Sequence, residues 1–192
     1  MTVQAIASLC CFALFIALVQ IRAAMMRRKG IRAFVFGVTD KGDFLLLPVV
    51  AAILYTAVSG VLGLPMWRPL VRPFWETTLP GWFGLGFCAV ALVGFAWTLH
   101  SFGDSFRVGI DNKQPGGLVT TGMFSISRNP IYACFLLFFA GLFLIHRNPV
   151  MSTAFIIFAL AIHRQILREE RFLLAQYGAI YDAYREKVRR YF

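Results

Sequence analysis

Five long apolar runs constrain this chain more than any other feature: residues 3–21, 44–64, 81–99, 131–145 and 150–162. A helix needs roughly 20 apolar residues to cross the hydrocarbon core of a bilayer. Composition agrees, because 59% hydrophobic residues, 16% aromatic residues and a mean hydropathy of +0.70 exceed what a soluble globular domain carries. The expected fold is therefore an all-α polytopic membrane helical bundle of about five transmembrane helices, closed by a cytoplasmic C-terminal helical cap. It forms a single membrane domain over residues 1–192, with residues 1–99 supplying the N-terminal spans.

Each run has its own punctuation. The first has no basic region before it and no small-residue cleavage site after it, so it reads as a membrane helix rather than a signal peptide. The second carries Pro48, Gly60 and Gly63, which should bend or loosen it. Trp67, Trp75 and Trp82 frame the next connection and suit an interfacial belt. In the third run Gly84, Gly86 and Gly94 would allow close helix contact. The last two runs, each slightly short, flank His146-Arg147-Asn148-Pro149 and read as a tight helical hairpin. Beyond it, residues 163–192 keep a helical pattern but are strongly charged, with Gly178 as a break and Tyr181 and Tyr184 placed to pack the tail on the bundle.

The net charge of +10 does not imply nucleic acid, because the basic residues flank apolar runs instead of lining one solvated face. They point to lipid headgroups and to topology. Placing Arg22, Arg27, Arg28, Lys29 and Arg32 in the cytoplasm puts the N-terminus outside and the C-terminus inside. Sixteen of the 19 Lys and Arg then lie on the cytoplasmic side, and only Arg68, Arg72 and Arg147 lie outside. A four-span arrangement with a re-entrant final pair would barely change that count. The short length without a targeting extension points to a prokaryotic inner membrane. Cys10, Cys11, Cys88 and Cys134 all sit in apolar stretches without ligand spacing, so they read as small hydrophobes and no metal is expected.

Between residues 100 and 129 hydropathy falls and Gly, Asp, Ser and Thr accumulate, which marks a long polar loop of the kind that carries function. This loop and the charged tail share one end of the bundle. Two segments there bear chemistry: residues 117–132, with Arg128-Asn129-Pro130 at the mouth of a span, and Arg164 with Arg168-Glu169-Glu170, followed by Tyr177-Gly178 and Tyr181. Glycines let backbone approach a flat ligand, Pro130 at a first helical turn frees neighbouring N–H groups, and Arg128 is a natural fork for a carboxylate. Glu169 and Glu170 would balance an ammonium or sulfonium cation. On spacing alone a structural reading stands beside this one, with Arg128 anchoring lipid phosphate and the glutamates forming helix-surface pairs. His100, Asp104, Arg107 and Asp111 either line the same pocket or begin a solvated loop. His163, at the membrane exit of the last span, reads as interfacial.

Leu-Val-x-x-Gly-x-Phe-x-x-x-Arg-Asn-Pro-x-Tyr at 118–132, Glu-Glu at 169–170 and Tyr-Gly-x-x-Tyr at 177–181 resemble the isoprenylcysteine carboxyl methyltransferase family, whose wider relatives include the phospholipid methyltransferases. The resemblance covers about residues 100–192, which become a cofactor-binding core. It implies a cytoplasm-facing S-adenosylmethionine pocket, a lipid-accessible opening, and cofactor contacts at Leu118, Val119, Arg128, Asn129, Tyr132, Glu169 and Glu170. The family often has His at the position of Asn129 and at that of Gly116, and neither residue here titrates as His would.

Since a sulfonium methyl is already activated, the protein mainly aligns a nucleophile and excludes water. A carboxylate acceptor would be positioned by Arg164 or Arg168, whereas a lipid amine would need Glu169 or Glu170 as base. The expected partners are membrane lipids and a lipid-borne or hydrophobic small-molecule substrate. Two alternatives remain. A sterol-type reductase would need NADPH and more cations in the loop than Arg107 and Lys113. A non-catalytic membrane scaffold would bind no cofactor.

Overall fold

The computed structural model describes residues 3–30, 46–103 and 117–192. Five apolar helices form the bundle: α1 (Val3–Arg28), α2 (Leu46–Leu62), α4 (Leu79–Phe102), α5 (Pro130–His146) and α6 (Pro149–Tyr177). Two further helices complete it, the single turn α3 (Arg68–Val71) and the short amphipathic α7 (Ala179–Lys187). By length and composition α1, α4 and α6 can each cross a membrane, while α2 and α5 are shorter apolar helices.

At the centre stands α5, the helix that packs against α1, α2, α4 and α6 alike. Its most extensive partner is α4, and the reason is a reciprocal glycine contact. A Cβ added at Gly84 would lie 2.5 Å from the Gly141 carbonyl oxygen, and one added at Gly141 would lie 2.5 Å from the Gly84 carbonyl oxygen. Backbones can approach this closely only where both helices lack a side chain. Gly94 approaches Cys134 Sγ in the same way, whereas Gly86 has open space around it. Of the three glycines expected to permit close packing, two therefore do so.

An aromatic core fills the space between α1, α4 and α5. Phe15 stacks on Phe95 with ring centroids 4.3 Å apart and leans on Phe135 and Phe138. The opposite face of α4 presents Phe83, Phe87, Val90, Val93 and Trp97 outward at helical spacing. A soluble protein rarely leaves so large an apolar surface exposed, but acyl chains cover it at no such penalty.

The α5–α6 hairpin forms where the sequence predicts it. Arg147 turns the chain in the left-handed region at φ 38°, Asn148 Oδ1 accepts the Met151 N–H at 2.9 Å, and Pro149 occupies the first helical position. The connection after α2 docks on this hairpin. Phe74 N–H donates to the Arg147 carbonyl, and Trp75 packs edge-on against Phe143 at 5.9 Å. Trp67 and Trp82 are exposed, and Trp75 is half-buried by its packing on Phe143. At the same end Ser8 Oγ lies 3.2 Å from His146 Nε2, tying α1 to α5.

Along α6 the buried stripe Met151, Ala154, Phe158, Ile162 and Ile166 recurs every three to four residues. One more turn brings the same side of the helix to Glu169 and Glu170. Gly178, at φ 51°, ends α6 and opens α7, and its carbonyl accepts from Tyr181 and Asp182 N–H groups. The break expected at this glycine is present.

Candidate active site

Three pieces of chain meet at the end of the bundle where α5 begins. The first is the loop entering α5. Its 3-10 turn (Gly122–Ser125) is docked on the last turns of α4 by Ser101 Oγ, which accepts the Met123 N–H at 3.2 Å. Gly122 adopts φ 62°, and a Cβ there would collide with Ser101. Phe124 packs edge-on against Phe102, and its carbonyl accepts the Tyr184 hydroxyl of α7 at 2.6 Å. The second piece is the stretch of α6 past Ile166. The third is the extended tail after α7.

Glu170 is the meeting point. Its side chain, 12% exposed, accepts from Asn129 Nδ2 at 3.0 Å and pairs with Arg128 Nη2 at 3.2 Å. Arg190 reaches it from the tail with two side-by-side bonds, Nη2 to Oε2 at 2.9 Å and Nε to Oε1 at 3.2 Å. One carboxylate thus faces two guanidiniums, so the cluster carries net positive charge. The carboxylate holds the Arg190 guanidinium above its ordinary range. Asn129 stands at the N-cap position of α5 but makes no capping bond; its Nδ2 donates instead to Glu170 and to the Arg190 carbonyl.

Glu169 has different company. Tyr132 of α5 donates its hydroxyl to Oε1 at 2.5 Å, and Gln165 Nε2 donates to the same oxygen at 3.1 Å. Successive residues on a helix point about 100° apart, so the acid pair divides between two neighbourhoods instead of acting as one site. Arg168, one of the cations expected to position an acceptor, is linked to Gln165 Oε1 at 3.2 Å and so stands beside Glu169. Arg164 is exposed one turn earlier. Leu118 and Val119 are half-buried in the loop ahead of the 3-10 turn and take no part in the polar contacts around either glutamate. His100 is exposed at the end of α4. Asp104, Arg107, Asp111, Lys113 and Gly116 lie outside the described residues, as do Arg32 and Lys41.

The tail contributes contacts that motif reading did not anticipate. Arg128 N–H donates to the Arg189 carbonyl at 2.9 Å, and Ser127 Oγ donates to the Arg190 carbonyl at 3.2 Å. Tyr191 pairs its hydroxyl with His163 Nδ1 at 2.8 Å, which gives His163 a role in docking the tail. A basic segment near two glutamates was the available signal, but an irregular tail has no helical periodicity to announce it. Tyr181 and Tyr184 are buried and pack the tail on the bundle as expected. Burial, and then the Glu170 carboxylate, push the Tyr181 phenol up to about 12 against the pull of Arg128, Arg190 and Arg185. Burial likewise raises Tyr184. Both phenols keep their protons at neutral pH, and Tyr184 uses its proton to donate to the Phe124 carbonyl.

Arg190→Gln should release the tail. Loss of a two-pronged charged contact weakens a half-exposed pair by about 1.5 kcal/mol, so amide hydrogen exchange at residues 127–129 should rise about tenfold. Exchange unchanged from wild type would show that the tail is held by its backbone bonds alone.

The family model of the phospholipid methyltransferases matches residues 79–180, from the first residue of α4 into α7. That span is more than half of the chain and contains both glutamates together with Arg128, Asn129 and Tyr132. The chain belongs to the phospholipid methyltransferase family. Among curated proteins none matches it. As an all-helical membrane protein of this methyltransferase family, it brings residues from two distant segments of the matched region together at one end of its bundle. Arg190, which completes the Glu170 cluster, lies beyond the matched span.

Proposed function

We propose that the chain transfers a methyl group from S-adenosylmethionine to an acceptor borne by a lipid or another hydrophobic molecule, at the end of the bundle where the loop and the tail meet. The observation that carries this reading is the convergence of Arg128, Asn129 and Tyr132 with Glu169 and Glu170, some 40 positions apart in sequence, through direct hydrogen bonds. A bundle needing only a surface anchor has no use for so many buried polar partners around two acids.

The donor set suits such a cofactor. S-adenosylmethionine presents a carboxylate, an ammonium, a sulfonium and ribose hydroxyls, and the site offers guanidinium, carboxylate, phenol and amide groups. Arg128 Nε is buried and has no partner among the described residues, which leaves one guanidinium N–H for a ligand carboxylate. Arg128 and Asn129 would hold the amino-acid end, Glu169 with Tyr132 would face its cationic part, and Glu170 would fix Arg128 and Asn129 in place. Leu118 and Val119 would supply apolar cover. When bound, the cofactor supplies an activated methyl group.

The chain's own work is then to align the acceptor, exclude water and handle a proton. The family match favours a lipid amine over the carboxylate, and for an amine Glu169 is the base: an Oε atom takes the proton of the acceptor nitrogen. A carboxylate acceptor would instead be steered by Arg168 and Arg164. The cytoplasmic orientation of this end belongs to the same proposal and rests on the distribution of Lys and Arg.

Calorimetric titration of the detergent-purified chain with S-adenosylhomocysteine, run beside NADPH, tests the reading. Saturable binding of the first ligand alone is expected, weakened at least about tenfold in Arg128→Ala. Binding of NADPH would favour a reductase, and binding of neither would leave a scaffold.

A further inference from the structure

On the outer side of Glu170 an open cleft of about 500 Å³ separates the end of α6 from α7. Its lining is strongly cationic: Arg128, Arg171, Arg185 and Arg190 against the single carboxylate of Glu170. Asp182 pairs with Arg185 at 2.7 Å and offsets one further charge, so a clear positive excess remains. Glu169 and Tyr132 do not line this cleft, which shares only Arg128 and Glu170 with the proposed cofactor site and extends from them toward Arg171 and Arg185. Tyr181 does line it. That residue is 2% exposed, and its hydroxyl has no partner among the described residues.

A buried phenol without an acceptor, surrounded by guanidiniums, lacks one thing, an anion. The apolar rim narrows the kind of anion. Leu167 is exposed on α6, Leu174 lies two turns further on, and Arg171 sits between them. Just before this stretch Ile156, Ile157 and Leu160 face outward as a lipid-covered surface. At about 1.5 Å per residue, Arg171 lies roughly 16 Å along the helix from Leu160. That distance places the cleft at headgroup depth, where cations meet lipid phosphates.

We infer that the α6–α7 cleft is a binding site for a phosphate-type oxyanion, supplied by the headgroup of an anionic membrane lipid and held by Arg171, Arg185, Arg190 and the Tyr181 hydroxyl. It is distinct from the acceptor site and does not depend on the identity of the methyl donor. Occupancy would neutralise the cleft and brace α7, and with it the tail.

The test is calorimetric titration of the detergent-solubilised full chain with dihexanoyl phosphatidic acid, inorganic phosphate and neutral dihexanoylglycerol. Saturable one-site binding of the phosphatidic acid is expected, about tenfold weaker in the Arg171→Gln/Arg185→Gln double variant. Both side chains are exposed, so the variant should fold, and Tyr181→Phe provides a second variant with a loss of a few fold. Weak binding of inorganic phosphate assigns the site to a lipid headgroup. Phosphate binding as tight as that of the lipid keeps the oxyanion site but makes free phosphate its occupant. Equal affinity in wild type and the double variant, full competition by dihexanoylglycerol, or no saturation at all would overturn the inference. S-adenosylhomocysteine, titrated in the same samples, should bind wild type and double variant equally. Its failure to bind wild type would sink the cofactor reading and leave the oxyanion result intact.

Discussion

Glu170→Ala binds S-adenosylhomocysteine at least about a hundredfold more weakly than wild type. The side chain joins three segments by charge: the α5 entrance through Arg128 and Asn129, α6 on which it stands, and the tail through Arg190. Its removal leaves two guanidiniums facing each other, one of them on a side chain only 11% exposed. Breaking a buried pair from one side costs about 3–5 kcal/mol, and the partial exposure of Arg190 lowers this to about 3 kcal/mol, or about a hundredfold in binding. Glu170→Gln keeps the shape but not the charge and should fall between. Calorimetry decides it, and wild-type affinity in Glu170→Ala would mean that the cluster is scaffolding unconnected with the ligand.

Gly141→Ala should disrupt the bundle itself. The new methyl would lie 2.5 Å from the Gly84 carbonyl oxygen and 2.7 Å from Cys88 Sγ, inside contact with backbone that cannot swing aside. Forcing α4 and α5 apart breaks the largest helix pairing in the molecule. An overpacking penalty of about 3 kcal/mol corresponds to a fall of roughly 10 °C in melting temperature for a chain of this size. Gly86→Ala is the matched control, because open space surrounds that position and alanine favours the helix. Equal melting temperatures for the two variants would refute a tight α4–α5 crossing.

Much of the fold was legible because lipid imposes a simple rule. Every apolar run became a helix, and Asn148-Pro149 and Gly178 marked a start and a stop by their own backbone chemistry. The site was half legible. Arg128, Asn129, Tyr132, Glu169 and Glu170 could be picked out by motif, but their partnerships could not. Adjacent glutamates look like one acidic patch in a sequence, whereas the helix turns Glu169 toward Tyr132 and Glu170 toward the tail. Arg190, Tyr191 and Ser127 stayed hidden because they meet where the irregular tail after α7 crosses the loop before α5, and neither segment has a periodicity that marks its contacts. The packing of Trp75 on Phe143 stayed hidden as well, since an interfacial tryptophan and a packed one read alike.

The clamp on Glu170 also sets an order of events during biosynthesis. Arg128 and Glu170 are made first, yet the partner that grips the carboxylate with two bonds is residue 190. A nascent chain with all five apolar helices already inserted has Glu170 held by Arg128 and Asn129 alone, and a loop that lacks the Arg189 and Arg190 carbonyls. Completion of the cluster therefore waits on residues 189 and 190, made well after the last apolar helix, so insertion of the bundle and assembly of this polar end are separate events.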